Sequence, residues 1–281
     1  MSSVPSLTDL SEKAANVESA SSTHTVVLLG ASNLRISLQT VVSTLRSMYS
    51  DLSLFVACGH GRSYGQWSAI PFRALPGITQ SELWPALERH LAGLAMAPQA
   101  PPPKALITDV GNDIVFGVPV PQILEWVAKC CDAFRAARAD LIITLPPRDR
   151  LERLSDLHFK VARTVIFPGS RLTRGFMLES VEALRSGLLE LAERSGALIV
   201  DPPRDWYGID PIHIRRGRRP GVWKSIFDRW PVAAASTTST QTVSLPRGLM
   251  GMRPHYRRYF GREQHTPQPV HHADGFRLEL Y

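Results

Sequence analysis

The chain has 281 residues, 44% hydrophobic and 20% charged, an ordinary globular composition with room for one domain of about 200 residues plus tails. No apolar run is long enough to cross a membrane, residues 1–22 lack a signal-peptide pattern, and three cysteines, two adjacent at Cys130 and Cys131, make neither a disulfide framework nor a zinc site. A reducing, cytoplasmic location is the default expectation. The net charge of +7 gathers beyond residue 203, where basic side chains outnumber acidic ones by seven to three over 204–230 and by six to three over 231–281.

Residues 1–22 read as a polar, flexible N-terminal tail. Thr25-Val26-Val27-Leu28-Leu29 predicts a buried parallel strand that runs into Gly30 and, two positions on, Ser32. Helical spacing of Leu38, Val41, Val42 and Leu45 predicts a helix over Ile36–Tyr49. Leu52–Cys58 is a second strand, followed by Gly59-His60-Gly61-Arg62-Ser63-Tyr64-Gly65 and a loop with Trp67, Pro71 and Pro76. A helix around Ser81–Leu94 and a Pro/Ala connector over Ala97–Pro103 lead to a third strand, Ala105–Val110, ending in Gly111-Asn112-Asp113. Helix Pro121–Ala137, with proline suited to its entry, precedes a fourth strand, Leu141–Leu145, stopped by Pro146-Pro147. Residues 151–166 and 177–195 read as helices, and Ala197–Val200 as a fifth strand. Trp206-Tyr207-Gly208-Ile209-Asp210-Pro211-Ile212-His213 follows. Beyond Pro231 the periodicity dissolves, which predicts a domain over 23–232 and a basic, flexible C-terminal tail over 233–281.

Apolar strands alternating with helices indicate a parallel sheet covered on both faces. In such sheets ligands bind at the carboxyl ends of the strands, and the chemistry-bearing residues all fall there. Ser32 follows the first strand, Gly59–Gly65 the second, Asn112 the third, and Asp210 with His213 the fifth. A nucleophilic serine needs a base, the base an orienting acid, and the oxyanion its donors. Asp210 and His213, three residues apart, fit within one turn, Asn112 offers an amide donor, and a glycine after the second strand lets a backbone N–H approach a substrate.

The set Gly30-Ala31-Ser32, Gly61-Arg62-Ser63, Gly111-Asn112-Asp113 and Asp210-Pro211-Ile212-His213 resembles the SGNH (GDSL-type) hydrolases, as does the Thr144-Leu145-Pro146-Pro147 strand end. The likeness spans residues 24–230. It implies a flavodoxin-like α/β/α three-layer sandwich on a five-stranded parallel sheet. It further implies Ser32 as nucleophile, His213 as base, Asp210 as its support, and an oxyanion hole from Ser32 N–H, Gly61 N–H and Asn112. Two positions depart from the pattern: Ala31 stands where the family has an acid, and Val110 where it has a glycine. The choice between Gly59 and Gly61 as donor stays open.

The expected activity is hydrolysis of an acyl ester of a small molecule, carbohydrate or lipid through an acyl-serine, with acyl transfer to another acceptor left open. No cofactor and no metal is expected, and the oligomeric state is open. Three other readings compete. Gly61-Arg62-Ser63-Tyr64-Gly65 fits a Gly-x-Ser-x-Gly nucleophile elbow, though no helix pattern follows it. A binding module could keep the fold without turnover. Arg215, Arg216, Arg218 and Arg219, and Arg253, Arg257 and Arg258 with Tyr256 and Tyr259, could grip an anionic surface or nucleic acid, although a solvated charged face is the simpler account and nucleic acid is not the expected partner.

Overall fold

The computed structural model describes residues 23–70, 72–95, 100–148, 152, 172–208, 210–231 and 248–281. The expected tail over 1–22, residues 233–247, and the helix expected over 151–166, apart from residue 152, lie outside the described residues.

Five parallel strands form the centre: β1 (His24–Leu29), β2 (Leu52–Ala57), β5 (Lys104–Ile107), β6 (Asp140–Thr144) and β7 (Leu198–Val200). They lie in the order β2-β1-β5-β6-β7, the 2-1-3-4-5 order of flavodoxin-like sheets. Val26, Val27, Leu28 and Leu29 are wholly buried because β1 has a strand on each side and helices on both faces. One face is covered by α3 (Leu83–Leu94), α5 (Val120–Ala136) and α6 (Arg174–Ser195), which pack Leu87, Val127, Phe134, Leu184 and Leu188 onto Val27, Phe55 and Ile143. The other is covered by α2 (Leu38–Met48) and α7 (Arg219–Phe227), which bring Leu38, Val42, Trp223 and Phe227 against Val26, Leu28 and Leu54. The three-layer α/β/α sandwich follows.

The sheet is larger than the sequence predicts. Strands β10 (His271–Ala273) and β11 (Phe276–Leu280) extend it to seven, in the order β10-β11-β2-β1-β5-β6-β7. The expectation of a flexible tail therefore fails for residues 248–281. β11 runs parallel to β2, with Phe276 opposite Leu52 and Leu280 opposite Val56, and buries Phe276, Leu278 and Leu280. The hairpin into it turns on Asp274-Gly275, both at positive φ, the backbone a two-residue turn between twisted strands requires. The signal is an alternation only five residues long, too short to stand out among arginines and prolines.

The loop expected after β2 also carries unforeseen structure. β3 (Ser68–Ile70) and β4 (Arg73–Leu75) form a hairpin, and β4 pairs with β8 (Tyr256–Tyr259), which pairs with β9 (Arg262–His265). This second, four-stranded sheet includes Tyr256, Arg257, Arg258, Tyr259 and Arg262 of the basic C-terminal segment.

Candidate active site

Ser32 opens a short helix, α1 (Ser32–Ile36), directly beyond the end of β1. Its hydroxyl lies 2.9 Å from His213 Nε2, and His213 Nδ1 lies 2.6 Å from Asp210 Oδ2. The other carboxylate oxygen of Asp210 accepts from the backbone N–H of Ile212 (3.0 Å) and of His213 (3.2 Å). Partial burial works to raise the Asp210 pKa, but the hydrogen bonds from the imidazole and these two N–H groups outweigh it and hold the group below the usual carboxylate range. Asp210 therefore stays ionised against the ring and fixes the orientation in which Nε2 faces Ser32.

The turn bearing Ser32 is held by Asp109, a residue the sequence reading did not single out. β1 and β5 are neighbours with Leu29 opposite Ile107, so two residues further on Asp109 lies beside Ala31. Asp109 Oδ2 accepts the N–H groups of Ala31 (2.9 Å), Asn33 (3.1 Å) and Leu34 (3.3 Å), while Oδ1 accepts Asn33 Nδ2 (2.9 Å). Its backbone is left-handed, with φ of 61°, a conformation asparagine and aspartate tolerate better than most residues. The turn that lacks an acid at Ala31 thus receives one from the neighbouring strand. Asn33 joins this turn to the histidine loop. Its Nδ2 also donates to Ile212 O (2.8 Å), and its Oδ1 accepts Ile214 N–H (2.8 Å).

Asp109 takes three of the four N–H groups over 31–34 and leaves that of Ser32 with no acceptor among the described residues. Two other donors near the strand ends share this state. Asn112 Nδ2 is buried without a partner among the described residues, at the first position of α4 (Asn112–Val115). Gly61 N–H likewise meets no described acceptor, and Gly61 has a left-handed φ of 59°. Gly59 is explained differently: a Cβ there would come within 2.4 Å of Leu75 Cδ1, so close packing accounts for it.

Ser63 lies elsewhere. It is wholly buried, and its hydroxyl accepts the N–H groups of Gly65 (3.2 Å) and Gln66 (3.1 Å). A strand, β3, follows it where an elbow needs a helix. Its neighbour Asp113 accepts Tyr64 N–H at 2.9 Å, and burial pushes that carboxyl up to about 6 despite hydrogen bonds from Ser63 and Tyr64.

A pocket of about 120 Å³ opens at Ser32, with Val110, Leu145, Pro146, Met177, Val181 and Trp206 among its walls. These come from the ends of β5, β6 and β7 and from α6. No group of three or more His, Cys, Asp or Glu side chains among the described residues is placed to hold a metal. None of the described helices is long and apolar enough to cross a membrane.

No protein-family model matches the chain, and no curated protein does. Solved structures do resemble it. TesA is 15% identical with a TM-score of 0.44, covering 73% of this chain and 97% of its own. The esterase EstA from Pseudoalteromonas sp. is 15% identical with a TM-score of 0.43, covering 73% and 95%. A GDSL-like lipase from Bacteroides thetaiotaomicron is 11% identical with a TM-score of 0.47, covering 78% and 95%.

Proposed function

We propose that this protein is a serine hydrolase of the SGNH type that cleaves an acyl ester through a covalent acyl-serine. The observation that carries this reading is the unbroken run from Ser32 Oγ to His213 Nε2 (2.9 Å) and from His213 Nδ1 to Asp210 Oδ2 (2.6 Å), at the mouth of an apolar pocket. In this mechanism His213 Nε2 takes the Ser32 proton as Oγ adds to the ester carbonyl, and Asp210 stabilises the imidazolium that forms. Ser32 N–H, Gly61 N–H and Asn112 Nδ2 are the donors for the developing oxyanion. Having no acceptors among the described residues, they need give up none there when the charge appears. The alcohol leaves with the proton from His213, water repeats the cycle on the acyl-enzyme, and the acyl chain occupies the pocket walled by Val110, Leu145, Met177 and Trp206.

The test is labelling with a fluorophosphonate together with turnover of short p-nitrophenyl esters. The adduct is expected on Ser32 by peptide mapping, and Ser32→Ala should abolish labelling and lower turnover by several orders of magnitude. Ser63→Ala should still label. An adduct on Ser63, or an unlabelled protein without esterase activity, would refute the assignment.

A further inference from the structure

The surroundings of Ser32 are asymmetric. The apolar pocket lies over the ends of β5, β6 and β7, on one side of β1. On the other side, beyond β2, the 59–61 loop is covered by the β3–β4 hairpin. Leu75 lies against Gly59, and Ile70 Cγ2 is 3.3 Å from where a Cβ on Gly61 would stand. Arg73 is directly opposite Ile70 in the hairpin and directly opposite Tyr259 in the next strand. Residues opposite one another in an antiparallel pair project from the same face. Arg73 therefore shares the face of Ile70 and Leu75, which lies on the Gly59–Gly61 loop.

That guanidinium is unusual for a half-buried arginine. Arg73 Nη2 is buried and has no hydrogen-bond partner among the described residues, and no described carboxylate forms an ion pair with Arg73. A charged group withdrawn from water without an acceptor is costly. Burial, then the charge of Arg35, and also that of Arg257, act to lower its pKa, against an opposing effect of Cys58. Arg35 is three residues after Ser32 on α1, and its Nη2 donates to Met250 O at 2.6 Å. His60, inside the covered loop, is held below the usual histidine range by partial burial, then by Arg73, Arg35 and His213. The same cations therefore act at a residue that also feels His213.

We infer that Arg73 binds an anionic group on the alcohol half of the substrate, so that the ester cleaved is one whose leaving alcohol carries a carboxylate or phosphate. The inference rests on the hydrolase reading, since it divides that one site into an apolar acyl side and a cationic leaving-group side. The reaction is unchanged: the acyl C–O bond breaks, the alcohol oxygen takes the proton from His213, and the anion is only held. Binding supplies an acceptor for Arg73 Nη2, which has none among the described residues, and a guanidinium fork suits both carboxylate and phosphate geometry.

The experiment compares 3-butanoyloxy-4-nitrobenzoate with its uncharged parent, 2-nitrophenyl butyrate, each corrected for its rate of hydroxide hydrolysis. In the wild type, kcat/KM for the carboxylated ester should exceed that for the parent by about tenfold or more, the order of one charge-assisted pair, and added salt should erode the preference. Arg73→Gln should bring the ratio towards one, and Arg73→Lys should restore part of it. A ratio within one variant does not depend on the fraction of protein folded. The phosphate arm uses inorganic phosphate as a competitive inhibitor, which should weaken in Arg73→Gln. A wild type that turns over the neutral ester without preferring the charged one overturns the inference and leaves the hydrolase reading standing, as does an Arg73→Gln ratio equal to wild type. If neither ester is turned over, both fall.

Discussion

Replacing Asp109 by asparagine tests how the turn bearing Ser32 is held. Asparagine tolerates the left-handed backbone that Asp109 adopts (φ 61°), so the substitution removes the carboxylate without adding strain. With the amide oxygen in the Oδ2 position, the N–H groups of Ala31, Asn33 and Leu34 keep an acceptor, but the new NH2 then faces Asn33 Nδ2, donor against donor. The flipped amide is worse, opposing three donors instead of one. One charge-assisted bond is lost, about 2 kcal/mol, and three fall to neutral strength, together about 1–2 kcal/mol more. A loss of about 3 kcal/mol is large against a typical total of about 5–15 kcal/mol. Asn33 also holds Ile212 O and Ile214 N–H on either side of His213, so its displacement should reach the imidazole. A shift of the Ser32–His213 contact by about 1 Å is enough to lower kcat by about 10²-fold. Urea unfolding followed by tryptophan fluorescence, and kcat for p-nitrophenyl butyrate on the folded variant, measure the two effects. Stability within about 0.5 kcal/mol of wild type and an unchanged kcat would refute the reasoning. Lost stability with kcat intact would leave Asp109 a brace for the fold and sever its link to His213.

Asn112→Ala should lower turnover by about 10²- to 10³-fold, the effect of one oxyanion donor, with an unchanged circular dichroism spectrum; turnover within twofold would remove Asn112 from the hole. Asp113, raised to about 6 by burial, should make the folded state lose stability as pH rises from its unfolded value near 4 through about 6, because the unfolded chain releases this proton first. Asp113→Asn keeps an acceptor for Tyr64 N–H and removes that loss, so its stability relative to wild type should grow by about 2 kcal/mol between pH 4 and pH 7.5; a pH-independent difference in urea midpoint would contradict this. Ending the chain after Ala235 removes β11, and with it the buried side chains of Phe276, Leu278 and Leu280. At about 1.5–3 kcal/mol for each side chain, the shortened protein should fail to fold, and a native-like melting transition would show that β11 is dispensable.

The strands of the central layer were legible in the sequence because β1, β2, β5, β6 and β7 are covered on both faces and so read as continuous apolar runs, whereas their order was only implied by the resemblance to the SGNH hydrolases. A buried strand cannot disguise itself among polar residues. Ser32, Asn112, Asp210 and His213 were legible for a related reason: strand ends in such a sheet collect at one edge, so position along the chain already implied proximity. The hairpin over 68–75 and strands β8 to β11 were not, because each is three to five residues long and takes its stability from partners far away in the chain. Phe276 has its place beside Leu52 only once β2 exists to pair with it. Asp109 and Arg73 belong to the same class. Alone, the first is one acid after a strand and the second one arginine in a loop. Only the register of β5 on β1 sets Asp109 against Ala31, and only the pairing of β4 with β3 turns Arg73 towards the loop of Gly61. Local pattern determined which segments are buried; the chemistry of what surrounds Ser32 was decided by contacts between segments that share no local pattern, since a hydrogen bond or an unpartnered charge depends on what the fold brings within about 3 Å of it.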